Sequence, residues 1–77
     1  MKFLEVRNNK FVDDTCRELI RISLIDHVYI ELPEEKGLAI EYRHPNGHIG
    51  HVYETFNTCG QCHVRFNEIR RILSEGE

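Results

Sequence analysis

The segment Thr58-Cys59-Gly60-Gln61-Cys62-His63 contains the residue types whose spacing could support chemistry. C-x-x-C-H is the spacing by which c-type haem is attached, and two cysteines three positions apart also supply half of a zinc site or a dithiol redox pair. The same residues form a Thr-x-x-Gln capping box, which opens an amphipathic helix without any ligand. We favour the helix interpretation because of the hydrophobic pattern that follows.

That pattern predicts a C-terminal helix over residues 59–73. At about 100° per residue, four apolar side chains fall within about 60° of one another and a fifth lies on the same side. These are Cys62, Phe66, Ile69, Leu73 and, on the same side, Ile72. We therefore expect Cys62 to be buried and Cys59 to be partly covered. A buried thiol is hard to offer to a haem vinyl group, and residues 1–7 contain no apolar export signal that would lead to haem attachment outside the cytosol.

Zinc is the strongest of the ligand-binding alternatives. Cys59 and Cys62 could supply two thiolates from one helical turn, and His51 or His63 could complete a tetrahedral set at about 2.0–2.3 Å. A second ligand pair at the usual spacing is missing, because the histidines of the preceding hairpin do not share a face. A thioredoxin-like role is weaker, since the alternation of strands and helices around such a motif is absent. We predict no cofactor, and these four residues are the minority candidates for a metal site.

Composition indicates an ordinary globular domain. The 77 residues are 40% hydrophobic and 30% charged, with a net charge of -3 and three cysteines. We predict a single domain over residues 1–77 that is cytoplasmic, has no membrane segment and carries free thiols. A chain this short buries only about 60–65% of its unfolded surface, so we expect a homodimer. The negative charge disfavours duplex nucleic acid as the main partner.

Catalytic signals are weak throughout. Asp13-Asp14 and Glu34-Glu35 are adjacent carboxylates in predicted turns, where neighbouring side chains point apart. Ser23 has no nucleophile-elbow context, and the chain has no glycine-rich phosphate loop. We therefore predict that the protein is not an enzyme.

The first half of the chain reads as strands. Residues 2–7 predict a strand, Asn8-Asn9 a turn and Phe11-Val12 the start of the return, before Asp13-Asp14-Thr15 breaks the pattern. Over residues 20–32 the even positions are apolar, which predicts one buried face. A run of this length also predicts a bend or bulge near Ile25-Asp26.

A hairpin follows. Residues 38–43 alternate as a half-buried strand, with Leu38, Ile40 and Tyr42 on the inner side. His44-Pro45-Asn46-Gly47-His48 is the clearest turn signal in the chain. The next strand, over about residues 48–56, lacks clean alternation, and we expect a bulge around Gly50. Together these elements predict an α+β fold, in which a curved antiparallel meander of four to five strands is packed by one C-terminal helix.

The outer face of this sheet is the predicted contact surface. His27 and Tyr29 lie on it with other polar residues, and the histidines of the hairpin flank its end. The predicted partner-binding residues are Tyr29, Glu31, Glu41, Arg43, His44, His48 and Tyr53.

The stretch Val52-Tyr53-Glu54-Thr55-Phe56, followed by the helix, resembles the ending of short phage, prophage and flagellar-operon proteins that include those similar to the KTSC domain. The resemblance covers about the last two-thirds of the chain in pattern, without the Lys-Thr-Ser-Cys signature. It implies a strand meander followed by a helix, in families that mostly lack an assigned activity. The element order is also similar to that of dimeric single-strand binders related to small transcriptional coactivators, whose sheet is basic and carries aromatic residues. The residues of this chain that weakly resemble that sheet are Tyr29, Tyr42, Arg43 and Tyr53.

Three functional hypotheses follow. The first is a small intracellular binding module of prokaryotic or phage type that contacts a protein partner. The second is a single-stranded nucleic-acid-binding protein that uses aromatic stacking and a basic patch. The predicted patch consists of Arg43, His44, His48 and His51. The third, less favoured, is a zinc or redox protein that uses Cys59 and Cys62.

Overall fold

The structure, a computed structural model, describes residues 2–9 and 16–75. Its elements, in chain order, are strands β1 (Phe3–Asn8) and β2 (Cys16–Arg21), a 3₁₀ turn (Ile22–Leu24), strands β3 (Ile25–Ile30), β4 (Gly37–Arg43) and β5 (Ile49–Thr55), and helix α1 (Cys59–Glu75). β1 pairs with β2, and β3, β4 and β5 form a second sheet in that order, with every pairing antiparallel. The predicted α+β fold of antiparallel strands and one C-terminal helix is confirmed.

The first strand is predicted over residues 2–7, and β1 covers Phe3–Asn8, one residue later at each end. Asn8 pairs with Cys16 and belongs to β1, so the turn expected at Asn8-Asn9 does not begin at Asn8. The predicted return at Phe11-Val12 and the break at residues 13–15 lie outside the described residues.

The long alternating run is divided as expected. The 3₁₀ turn interrupts it, and the register between β3 and β4 shifts between Ile25 and His27, which confirms the predicted bulge. Ile20 and Ile22 are buried on the inner side. The predicted burial of Leu32 is wrong, since this residue is 78% exposed. β3 ends at Ile30, so Leu32 lies in the turn that follows the strand rather than on its buried face.

The β4–β5 hairpin is regular from Gly37 opposite Thr55 to Arg43 opposite Ile49. The bulge expected at Gly50 is therefore wrong. A Cβ at Gly50 would lie 2.6 Å from Cζ of Tyr42, the residue directly opposite. Glycine at this position makes room for an aromatic ring across the strand pair.

The turn of the hairpin confirms its sequence signal. The Gly47 N–H donates to the His44 carbonyl oxygen at 2.9 Å, and the His44 N–H donates to the His48 carbonyl oxygen at 2.7 Å. Gly47 has φ of 92°, a left-handed conformation that glycine adopts without steric cost.

Helix α1 packs on the inner face of the sheets. Cys62 and Ile69 have no exposed surface, and Phe66, Ile72 and Leu73 pack against the core from partly buried positions, as the predicted stripe requires. The sheets contribute Leu4, Val6, Ile20, Ile22, Leu38, Ile40 and Val52 to this core. In the part of the chain that the structure describes, no helix has the length and apolar character needed to span a membrane.

Candidate functional site

The helix start confirms the capping interpretation. The Gln61 N–H donates to Oγ1 of Thr58 at 3.2 Å, and the Asn57 N–H donates to Oε1 of Gln61 at 3.2 Å. The reciprocal bond thus reaches the residue before the cap rather than the cap itself. The bond to Thr58 satisfies a backbone donor that the first helical turn leaves unpaired, and the bond to Gln61 holds the segment just before the cap.

The two cysteines of this turn have different environments. Cys62 is fully buried, whereas Cys59 is exposed rather than partly covered as predicted, because only Cys62 lies on the side of the helix that packs against the core. Burial raises the pKa of the Cys62 thiol. The negative charges of the Cys59 thiolate and of nearby glutamates raise this pKa further. Cys62 is therefore a protonated thiol in the core, which makes it a poor nucleophile and a poor metal ligand.

The candidate metal ligands do not converge. His51 lies on the outer sheet face, where Nε2 is 3.3 Å from Oε2 of Glu41, while Cys62 lies in the core on the opposite side. Nε2 of His63 is 3.2 Å from Oε1 of Glu35, in the loop between β3 and β4. Within residues 2–9 and 16–75, no group of three or more histidine, cysteine, aspartate or glutamate side chains could hold a metal ion.

The side of the β3-β4-β5 sheet away from α1, here called the outer face, carries a symmetric arrangement of aromatic residues. In the strand register, Tyr29 and Tyr53 flank Ala39 in one cross-strand row, and His27 and His51 flank Glu41 in the next. The ring centroids of His27 and Tyr29 are 6.2 Å apart, and those of His51 and Tyr53 are 6.0 Å apart at an interplanar angle of 11°. β3 and β5, the strands on either side of β4, therefore each present one His-Tyr pair on the outer face.

Ala39 is the small residue at the centre of this arrangement. The alternation predicts it to be on the solvent side, yet it has no exposed surface, because two tyrosines stand directly beside it. Tyr29 itself remains 41% exposed. The row, here called the platform, therefore presents two tyrosines, one on each side of a small residue.

Charged groups surround the platform. Nε of Arg43 is 3.6 Å from Oδ2 of Asp26, a residue in the β3 bulge. Glu31 lies just past the end of β3, and its Oε1 occupies the space beside Gly37 where a Cβ would come within 3.0 Å. Of the seven predicted partner-binding residues, five lie on or beside the outer face. These are Tyr29, Glu31, Glu41, Arg43 and Tyr53.

The remaining two predicted residues lie elsewhere. The His44 ring packs against Tyr42 with centroids 4.9 Å apart, and Tyr42 is packed against the core on the inner side of the sheet. His48 is exposed in the hairpin turn, where its N–H donates to Oδ1 of Asn46 at 3.1 Å. The predicted basic patch is thus divided between two sides of the sheet, and Tyr42 does not belong to the platform.

Sequence reasoning did not identify one deeply buried charge among the residues that the structure describes. Glu54 is 3% exposed, and its carboxylate accepts from Arg65 Nε at 2.9 Å, Arg65 Nη2 at 3.2 Å and the Arg7 N–H at 3.0 Å. Arg65 Nη2 also donates to the Glu5 carbonyl oxygen at 2.8 Å, and Nη1 contacts Glu68. Burial alone lowers the pKa of Arg65, but its bonds to Glu54 and Glu68 outweigh that effect and raise it. These bonds join β1, β5 and α1, so the cluster serves the fold.

No family model matches the chain, and neither a curated protein nor a solved structure matches it. The resemblance to KTSC-like proteins stays a prediction.

Proposed function

We propose that the protein is a small, non-enzymatic binding module, cytoplasmic and of prokaryotic or phage type, that contacts a protein partner through the outer face. The observation that supports this proposal is the row of Tyr29, Ala39 and Tyr53, which presents aromatic surface on the side of the sheet away from α1. Tyrosine supplies large contact area with little loss of side-chain entropy and is enriched at protein interfaces.

The charges around the row favour a basic partner segment. Glu31, Glu41 and Asp26 contribute three carboxylates, whereas Arg43 contributes one guanidinium. Lysine and arginine side chains are attracted both to carboxylates and to the faces of tyrosine rings. We therefore infer that the contacted segment carries lysine or arginine.

Strand β3 offers a second element of recognition. Among the described residues β3 is an edge strand of its sheet and pairs only with β4. The backbone N–H and C=O groups on its other edge can therefore form hydrogen bonds with an extended segment. Addition of a strand to a sheet edge is a recurrent way of binding peptides, in which the backbone supplies affinity and side-chain contacts supply specificity. We also propose that the module is a homodimer, which sedimentation analysis at several concentrations would test.

Single-stranded nucleic acid is the second candidate ligand. Exposed tyrosines on a sheet can stack with bases, as Tyr29 and Tyr53 would do. The carboxylates beside them oppose a phosphate backbone, and the separation of His44 from the outer face removes part of the basic patch on which this function depends. A zinc or redox role draws still less support, because Cys62 is buried and His51 lies on the opposite side of the sheet.

A peptide-display selection tests the main proposal. Peptides enriched on the wild-type protein are expected to contain lysine or arginine. Their affinity for the Tyr29→Ala/Tyr53→Ala double variant should be lower by at least roughly ten-fold. Val64→Ala, which changes an exposed apolar residue on α1, should leave the affinity unchanged. Thermal unfolding of each variant establishes that the fold is retained.

Equal binding of the selected peptides to wild type and double variant would refute a contact at the outer face. A labelled single-stranded oligonucleotide provides the competing measurement. We expect its fluorescence anisotropy to stay flat at micromolar protein. A saturable change at physiological salt that weakens as salt is added would favour the second candidate.

A further inference from the structure

The two edges of the β3-β4-β5 sheet differ in how they are covered. On the edge of β5 away from β4, the Thr55 N–H donates to Oδ1 of Asn9 at 2.7 Å, and the Asn9 N–H donates to the Tyr53 carbonyl oxygen at 3.1 Å. β3 forms the other edge, where no strand among the described residues pairs with it. A further strand can therefore be added at β3 rather than at β5.

The pairing with β4 determines which backbone groups of β3 face the open edge. The Glu31 N–H donates to the Gly37 carbonyl oxygen at 2.8 Å, and opposite residues of an antiparallel pair alternate between bonded and non-bonded positions. Tyr29, two positions before Glu31, therefore directs its N–H and C=O groups toward β4. Val28 and Ile30 direct theirs away from β4. These two residues thus offer donors and acceptors to an extended segment.

A groove between β3 and α1 begins at this edge. It has a volume of about 370 Å³, and its apolar lining residues are Ile25, Val28, Phe66 and Leu73. Val28 is partly exposed, whereas Ile40, directly opposite it in β4, has no exposed surface. The edge therefore leaves apolar surface uncovered on the inner side of the sheet, where an apolar side chain of an added strand would bury it.

Charge in the groove indicates what kind of segment fits. Arg70 lines the groove, is exposed, and forms no ion pair with another described residue. Asp26 also lines the groove, but its Oδ2 is 3.6 Å from Nε of Arg43. A second copy that paired its own β3 with this edge would bring a second Arg70 to the same groove, and like charges oppose that arrangement. A partner with a carboxylate at this position is complementary to Arg70.

We propose that an extended segment of the protein partner adds to β3 as a fourth strand of this sheet. Successive side chains of a strand point to opposite faces. The segment therefore alternates between apolar residues that enter the groove, with one carboxylate beside Arg70, and lysine or arginine residues that lie beside Tyr29 on the outer face. This inference rests on the function proposed for the outer face, and it specifies the backbone conformation and the side-chain pattern of the partner.

Amide hydrogen exchange of the full chain, followed by nuclear magnetic resonance, tests strand addition. The probe is the capped peptide Lys-Val-Lys-Ile-Lys-Glu-Lys, and the control peptide Lys-Lys-Val-Ile-Glu-Lys-Lys has the same composition without the alternation. At saturating probe we expect exchange of the Val28 and Ile30 amides to slow by about ten-fold or more, with a smaller change at Tyr29, whose N–H already faces β4. Absence of saturable binding, unchanged exchange at Val28 and Ile30, or equal slowing by the control peptide would overturn the proposal.

A matched pair of helix variants tests the groove. Arg70→Glu should weaken binding of the probe by about three-fold or more, because it replaces an attraction to the peptide carboxylate by a repulsion. A peptide with lysine in place of its glutamate should regain that affinity. Arg71→Glu makes the same charge change at an exposed neighbouring position that does not line the groove, and should leave the affinity unchanged. Equal weakening by both variants would refute the placement of the segment beside α1.

The Tyr29→Ala/Tyr53→Ala variant separates failure of this inference from failure of the proposed function. If the variant binds the probe more weakly but the Val28 and Ile30 amides of the wild-type protein exchange at the same rate with and without the probe, the outer face binds peptides without strand addition and this inference alone is wrong. If the amides are protected and the variant binds with unchanged affinity, strand addition is supported and the contact proposed at the platform is wrong.

Discussion

Glu54 on β5 and Arg65 on α1 form a bidentate ion pair inside the protein, with Nε–Oε1 and Nη2–Oε2 distances of 2.9 and 3.2 Å. The carboxylate side chain is 4% exposed and the guanidinium side chain 20%. The Arg7 N–H and the Glu5 carbonyl oxygen bind the same pair, so β1 is held to β5 and α1 by one cluster. A buried charge is tolerated only with such complete pairing.

Removal of one member of this pair should strongly destabilise the fold. Glu54→Ala leaves the Arg65 guanidinium partly buried without its main partner, and we expect a loss of about 3–5 kcal/mol in the free energy of unfolding. Glu68→Ala, which removes a half-exposed carboxylate from the same arginine, should cost less than about 1 kcal/mol. Urea denaturation measures both. Similar losses in the two variants would contradict the central role of Glu54.

Gly50 is required by the ring opposite it. In Gly50→Ala the new methyl group would approach the Tyr42 ring at 2.6 Å and Nε2 of His44 at 2.9 Å. Because Tyr42 is packed against the core, we expect a loss of about 1–3 kcal/mol. Gly60→Ala is the matched control, since its nearest neighbour atom would be 3.8 Å away in the first turn of α1. That change should stabilise by up to about 1 kcal/mol, and a melting temperature unchanged by Gly50→Ala would show that Tyr42 moves aside freely.

The Cys62 thiol should make stability depend on pH in the alkaline range. Its pKa is raised in the folded state, first by burial, so the native protein holds the proton that the unfolded chain releases. The free energy of unfolding should therefore be unaffected by this group well below pH of about 8.5, the ordinary cysteine pKa, and should fall as pH rises above that value. Urea denaturation at pH 7.5 and 9.5 tests this expectation. Cys62→Ala should have a smaller decrease than wild type, whereas Cys59→Ala should retain the wild-type decrease.

The Thr58 cap should contribute to stability through its side-chain oxygen. Thr58→Ala removes the acceptor for the Gln61 N–H, and we expect a loss of about 0.5–2 kcal/mol. Thr58→Ser keeps the hydroxyl and should restore most of that stability. Thermal unfolding compares the three proteins. A melting temperature of Thr58→Ala equal to that of wild type would mean that the cap contributes nothing measurable.

Local patterns were sufficient to predict the helix and the hairpin. The Thr-x-x-Gln cap and the 3.6-residue period of apolar positions depend on residues within one or two turns, and α1 begins at Cys59 as they predict. The Pro45-Asn46-Gly47 turn depends on backbone preferences of its own residues. The outer face was also predictable in part, since strand alternation assigns Tyr29, Glu41 and Arg43 to one side of a sheet.

The register of β5 and the surroundings of its side chains depended on the tertiary structure. Val52 and Glu54 share the inner face, but a carboxylate there contradicts the polarity pattern of a half-buried strand. It is accommodated because Arg65, 11 positions later, and the Arg7 backbone, 47 positions earlier, supply donors to it. His44 likewise packs against Tyr42 because the hairpin and Gly50 leave room for both rings. Composition and spacing therefore determined the elements, whereas long-range pairing decided which charges are buried and which aromatic residues meet, because those free energies depend on neighbours distant in sequence.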